Sequence, residues 1–223
     1  MDVFRMWKPL RHDIILPLCG ITYGSGPVPA IVSPWMPDGS SSTYLDKNIG
    51  VGSAVAYTGL YDVEMISAPN AGKPLCLLTS SVGVPYSNSL SETYKFGLLA
   101  DVVAGLQYLH SNGVAHTDLT GSNVLINSDG RALVADYGCL TTYSNLNGTS
   151  YIRSYVRWVV PELFDVPDTE DAPSSPKLES DIYSFGCIAY QVLSGQQPYY
   201  NIRSGHRVVV AILRGVKLKR PCR

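Results

Sequence analysis

Residues 116–138 read HTDLTGSNVLINSDGRALVADYG, and the middle of that stretch decides the fold. Val124-Leu-Ile126 and Ala132-Leu-Val134 are short apolar runs, and Asn127-Ser-Asp-Gly130 between them is turn chemistry, so the segment reads as a β-hairpin. Centred on Asp129, the hairpin sets residue 123 opposite residue 135. Asn123 and Asp136 then become neighbours at its open end, about 5–6 Å apart by ordinary cross-strand spacing. Asp118 stands five residues before Asn123, in a polar loop that begins at His116. Two carboxylates and an amide converging on one rim make a hard-oxygen site suited to Mg²⁺ with bound phosphates.

Helical patterns flank the hairpin. Ser91 is placed to N-cap a helix with Glu92 in its first turn. Phe96, Leu99, Val103 and Leu106 then fall on one face, Leu98, Val102 and Leu109 widen it, and Asn112-Gly113 ends it. A second helix runs from about Glu179, with Ile182, Phe185, Ile188, Ala189 and Val192 on its apolar face. Gly195 and Pro198 close that helix. Gly205 to Gly215 reads as one more. Toward the N-terminus, ILPLCGITY (15–23) and PAIVSPWM (29–36) flank Gly24-Ser-Gly-Pro27 and read as another hairpin. From about 48 to 91 the chain is rich in Gly, Ser, Pro and Ala without a sustained period, and is expected to be an atypical insertion.

Composition bounds the class. The 223 residues are 45% hydrophobic and 16% charged, which suits one globular domain or slightly more. Net charge is -1, so nothing electrostatic calls for nucleic acid or a charged membrane as partner. Five scattered cysteines without a CxxC pair argue against a disulfide framework and for a reducing compartment. MDVFRMWKPLRH carries charges where a signal peptide needs an apolar core, and Val208–Leu213 is too short to span a bilayer. A cytoplasmic protein is the expectation.

HTDLTGSNVLI (116–126) resembles the HRDLxxxN catalytic loop of eukaryotic-type protein kinases, and Ala135-Asp-Tyr-Gly138 resembles their DFG motif. Val160-Pro-Glu162, after Arg157-Trp158, resembles the APE motif and leans toward the tyrosine-kinase-like branch. SDIYSFGCIAYQVLSGQQPY (180–199) resembles the helix at the heart of the large lobe, and IVSPWMPDGS (31–40) the last small-lobe strand and hinge. The resemblance implies an α+β, protein-kinase-like fold. Residues 37–223 would form a mainly helical large lobe, truncated at its C-terminus. Residues 1–36 would be a remnant of the β-rich small lobe, comprising the end of helix C, the hairpin and the start of the hinge.

It also implies roles. Asp118 would be the catalytic base, and Asn123 and Asp136 the magnesium ligands. The backbones of Pro34 and Met36 would meet the adenine of ATP, with Leu125 beneath the base and Ser33 as gatekeeper. His116, Gly138, Glu162 and Asp181 would serve the structure, Asp181 by bonding the catalytic-loop backbone. ATP and Mg²⁺ would be the cofactors, and a protein substrate or protein partner the other participant.

Departures from the family pattern imply impaired transfer. The glycine-rich loop and the ATP-clamping lysine would precede Leu10, and Gly50-Val-Gly52 lies on the wrong side of the hinge to stand in for that loop. Thr117 replaces the loop arginine, Thr120 the lysine used near the γ-phosphate, and Tyr137 the phenylalanine. A catalytically dead interaction module, or an incomplete gene product, is the alternative expectation. Cys139 beside the DFG-like motif reads as a small buried side chain before it reads as a reactive thiol.

Overall fold

The structure is a computed structural model that describes residues 7–23, 30–49, 90–138, 156–164 and 177–219. Several expectations fall outside those residues: the end of helix C, the Gly/Pro turn at 24–29, Cys139, and all but the margins of 48–91.

The elements in chain order are β1 (Gly20–Thr22), β2 (Ala30–Val32), α1 (Ser41–Ile49), α2 (Glu92–Ser111), β3 (Val124–Ile126) and β4 (Ala132–Val134), then a 3₁₀ turn (Pro161–Leu163), α3 (Leu178–Ser194) and α4 (Gly205–Leu213). β1 and β2 pair antiparallel, Ile21 opposite Ile31. β3 and β4 do likewise, Leu125 opposite Leu133. The chain at Ile14–Leu16 lies alongside β4 in parallel, with Leu16 N–H donating to Val134 O at 2.9 Å and Val134 N–H to Ile14 O at 2.8 Å.

α2 begins where the cap chemistry puts it, with the Ser91 hydroxyl accepting from Tyr94 N–H at 3.2 Å. Its buried face, however, is not the expected one. Leu98, Leu99, Val102, Leu106 and Leu109 are buried as read, but Phe96 is 57% exposed. The face is rotated because Lys95, Asp101 and Gly105 are buried on it, each with a particular reason. Lys95 Nζ reaches Leu193 O and Glu92. Asp101 takes a forked pair of bonds from Arg131 and a further one from Ala132 N–H at 3.1 Å, tying α2 to β4. Gly105 lets Val134 and Ile14 press against the helix backbone.

α3 repeats the lesson. Ile182 is 60% exposed, while Asp181, Ser184 and Gln191 are buried beside Cys187, Ile188 and Val192. Gly195 ends the helix at φ +70°, the left-handed position that glycine occupies at no steric cost. α1 is a helix the sequence reading did not identify. Ser40 starts it, its hydroxyl accepting from Thr43 N–H at 3.3 Å, and Leu45 anchors it at 2% exposure. Between α2, the hairpin and α3 runs one apolar core built from Ile14, Leu45, Leu98, Val102, Leu109, Leu119, Val124, Ile126, Val134, Tyr137 and Ile188. Among the described residues, no helix is long and apolar enough to cross a membrane.

Candidate functional site

The hairpin register is the geometric key. With Val124 opposite Val134, residue 123 does fall opposite residue 135, and Ala135 N–H donates to Asn123 O at 2.9 Å. Asp136 follows, with an exposed side chain at φ +54°. Asn123 is buried and its Nδ2 donates twice to Asp118, to the backbone O at 2.8 Å and to Oδ2 at 3.1 Å. The side-chain carbonyl Oδ1 of Asn123 is thereby left as the acceptor of that amide. Burial pushes the Asp118 carboxyl up to about 7; the Asn123 bond opposes the shift and the Asp136 charge adds to it. Desolvation on the protein side raises the Asp136 carboxyl as well, although its outer side meets solvent. Two carboxylates that both resist ionisation in the bare protein form a place where a cation would be welcome.

The loop that carries Asp118 is held by α3. Asp181, 1% exposed, accepts from His116 N–H at 2.7 Å and Thr117 N–H at 2.9 Å, and His110 Nε2 lies 2.8 Å from the same carboxylate. Thr117 sits at φ +71°, a backbone state that costs a β-branched residue of the order of 1–3 kcal/mol. Charge-assisted bonds to a buried carboxylate, each worth about 1.5–3 kcal/mol, are enough to hold it there. His116 is wholly buried, and desolvation pushes its imidazole down to about 4, against the partial opposition of Asp181. It is therefore neutral at pH 7. Its carbonyl accepts from Gly138 N–H at 2.7 Å, closing the loop onto the far side of the hairpin.

The remaining expected residues fall around this rim. Met36 and Leu125 are half-buried and pack with Leu16, Leu133 and Ala135 into one apolar patch. Pro34 is half-buried on the stretch leading to it. Glu162 lies exposed in the 3₁₀ turn.

Four supports escaped the sequence reading. Trp7 donates from Nε1 to Tyr137 O at 2.7 Å and stacks on that ring with centroids 4.6 Å apart. Ser41 Oγ and Ser42 N–H both donate to Gly121 O, and Gln191 Nε2 donates to Ser42 Oγ, pinning the middle of the loop. His110 joins Asp181. Arg157, buried, donates to the carbonyls of Pro198, Tyr199 and Ile202. Only the Ser40-Ser-Ser-Thr43 cluster carried a readable signal, that of a helix start.

The family model described as protein tyrosine and serine/threonine kinase matches residues 1–223. Similar proteins include cytokinesis protein sepH of Aspergillus niger, 33% identical over 105 residues, 47% of this chain and 7% of that protein. Cell division control protein 7 of Schizosaccharomyces pombe is 37% identical over 101 residues, 45% of this chain and 9% of that protein. Serine/threonine-protein kinase BCK1/SLK1/SSP31 of Saccharomyces cerevisiae is 34% identical over 109 residues, 47% of this chain and 7% of that protein. The chain thus spans less than a tenth of the length of these relatives. A mixed α and β chain with this site belongs to the protein tyrosine and serine/threonine kinase family. Members of that family use ATP and Mg²⁺ on protein substrates.

Proposed function

We propose that this chain supplies the large-lobe half of a protein kinase site, with residues 37–223 as that lobe and 1–36 as what it carries of the small lobe. The reaction is transfer of the γ-phosphoryl group of ATP to a protein hydroxyl. Asp118 accepts the hydroxyl proton as the new O–P bond forms and the bond to the β-phosphate breaks, releasing ADP. The observation that supports this reading is the β3–β4 register, in which Asn123 bonds both Asp118 and Ala135, the residue before Asp136.

The donor set fits the metal that the family uses. Asn123 Oδ1 and the Asp136 carboxylate would hold Mg²⁺, hard oxygens for a hard cation. When bound, it neutralises charge on the phosphate oxygens. The apolar patch of Met36, Leu125, Leu16, Leu133 and Ala135 would receive the adenine, with the Pro34 and Met36 backbone at its edge. Arg157-Trp158 before Pro161-Glu162 supports placement in the tyrosine-kinase-like branch. The long segment at about 48–91 is, in this reading, an insertion between α1 and α2.

Incubation of the full chain with radiolabelled Mg-ATP and a generic protein substrate tests the assignment. Label transfer is expected from the wild type, weak in rate, and none from Asp118→Asn or Asp136→Ala. Undiminished transfer by Asp118→Asn would sink the role given to that residue.

A second reading, an interaction module of pseudokinase type, is favoured by the described surroundings of the loop. Among the described residues, no lysine or arginine forms an ion pair with Asp118 or Asp136, and Thr120 is buried with its hydroxyl bonded to Ser122 N–H. Partner binding that survives Asp118→Ala with Asp136→Ala, alongside no transfer by the wild type, would establish this reading instead.

A further inference from the structure

Among the described residues, five buried side-chain polar atoms have no hydrogen-bond partner: His116 Nε2, Thr117 Oγ1, Trp158 Nε1, Gln191 Oε1 and Gln196 Oε1. Two of their residues, Thr117 and Trp158, line one small cavity of about 10 Å³, with Asp118, Thr120, Ser180 and Ser184 among its other walls. Trp158 is 7% exposed, and its indole N–H is itself buried. A donor stranded in that way costs about 1–3 kcal/mol. Each neighbouring hydroxyl makes a bond of its own, and none takes the indole proton. Thr120 accepts from Ser122 N–H, Ser180 from Lys177 N–H, and Ser184 donates to Trp158 O.

We infer that this cavity holds one ordered water, which accepts from Trp158 Nε1–H and donates to Thr117 Oγ1. The chemistry of the occupant follows from its two partners. An indole N–H only donates, so the occupant must accept, while the threonine hydroxyl serves either way. The volume suits one water and excludes anything larger. The second hydrogen of that water faces the wall formed by Asp118, a carboxylate able to accept it. The water therefore joins the segment 156–163 to the loop that carries Asp118, and Thr117 and Trp158 are positioning residues for that loop. A hydroxyl as short as threonine's is what leaves the room. The inference stands whether or not Asp118 takes a proton from a substrate.

The test is NMR on the uniformly ¹⁵N-labelled full chain. Its three tryptophans give three indole N–H signals. Trp7 is bonded directly to Tyr137 O, and Trp35, 79% exposed, is removed from the spectrum by Trp35→Phe. The Trp158 indole is expected to show a cross-peak to a long-lived water in the wild type and in Thr117→Ser, and to lose it in Thr117→Val. Valine keeps the branching of threonine at the same φ and puts a methyl in place of the hydroxyl, so the melt is expected to fall by roughly 2–4 °C. No water cross-peak at Trp158 in the wild type overturns the inference, as does a cross-peak unchanged in Thr117→Val. Should Thr117→Val fail to fold, the wild-type cross-peak decides alone.

Discussion

Asp118 and His116, two residues apart, are shifted in opposite senses by burial. The imidazole of His116 is pushed down to about 4, whereas an unfolded histidine titrates near 6.5. Between those values the unfolded chain binds a proton that the folded chain refuses. The His116 contribution therefore falls as pH drops from about 6.5 to about 4, by at most about 3 kcal/mol. Asp118 has the opposite sign. Its folded carboxyl is pushed up to about 7, so the folded chain holds the extra proton, and its contribution falls as pH rises from about 4 to 7. Between pH 4.5 and 6.5 these two slopes oppose each other and the raised Asp136 carboxyl adds to that of Asp118, so the wild-type melting temperature should fall gently as pH rises. Asp118→Asn removes the larger of the slopes that oppose that of His116. That variant should melt several degrees above the wild type at pH 7.5, a gain of roughly 1–3 kcal/mol, and then lose stability steeply on acidification. Calorimetric melts at pH 4.5, 6.5 and 7.5 check both, and an Asp118→Asn chain less stable than wild type at pH 7.5 would contradict the account of Asp118 as a strained, desolvated carboxylate.

The helices are held to the hairpin by polar residues as much as by apolar ones, and this yields predictions that differ in sign. Gly97 and Gly105 share α2. A methyl added at Gly97 meets nothing within 4 Å, so Gly97→Ala should stabilise by about 0.8–1 kcal/mol through helix propensity alone. At Gly105 the same methyl would lie 2.7 Å from Val134 Cγ2, so Gly105→Ala should destabilise by roughly 1–3 kcal/mol despite the better propensity. Urea titrations of the two variants measure the contrast, and equal effects would mean that α2 does not press on β4. At the head of α3, Asp181→Ala leaves His116 and Thr117 N–H without their acceptor and frees the unfavourable φ at Thr117. A loss of roughly 3–5 kcal/mol is expected by the same urea titration. These positions explain which parts of the fold were legible in the sequence. Ser91, Gly113 and Gly195 act locally, through caps and left-handed turns, and the helix ends fell where they indicate. The β3–β4 register was legible because a short turn between matched apolar runs permits one pairing. The helix faces were misread at Phe96 and Ile182 because hydrophobicity does not count Asp101, Gln191 or Ser184, whose burial depends on partners from 26 to 149 residues away. α1 was missed for a related reason. Leu45 is the apolar side chain that anchors it, and its polar start binds a loop 80 residues downstream.

In the whole molecule, three separate stretches of chain brace the Asp118 loop and the end of the hairpin that faces it. Trp7 holds Tyr137 from the N-terminal side, Ser41 and Ser42 hold Gly121 from α1, and Asp181 holds His116 and Thr117 from α3. These braces hold Asn123 on Asp118 without a ligand, the kind of preorganisation that the proposed phosphoryl transfer would need. Removing a brace should loosen the rim more than the fold. Trp7→Phe keeps an aromatic ring, gives up part of the buried indole and deletes the N–H bond to Tyr137, and should lower nucleotide affinity severalfold while stability falls by roughly 1–3 kcal/mol. The most direct measurement on the central claim is the melt of the full chain with and without millimolar Mg-ATP, run beside Asp136→Ala. The account predicts a cooperative wild-type melt that rises with Mg-ATP, by about 2.7 kcal/mol at a hundredfold excess over Kd, and no rise in Asp136→Ala. A wild-type melt indifferent to Mg-ATP, or an equal rise in Asp136→Ala, would contradict the assignment of Asp118, Asn123 and Asp136 as a nucleotide-metal site.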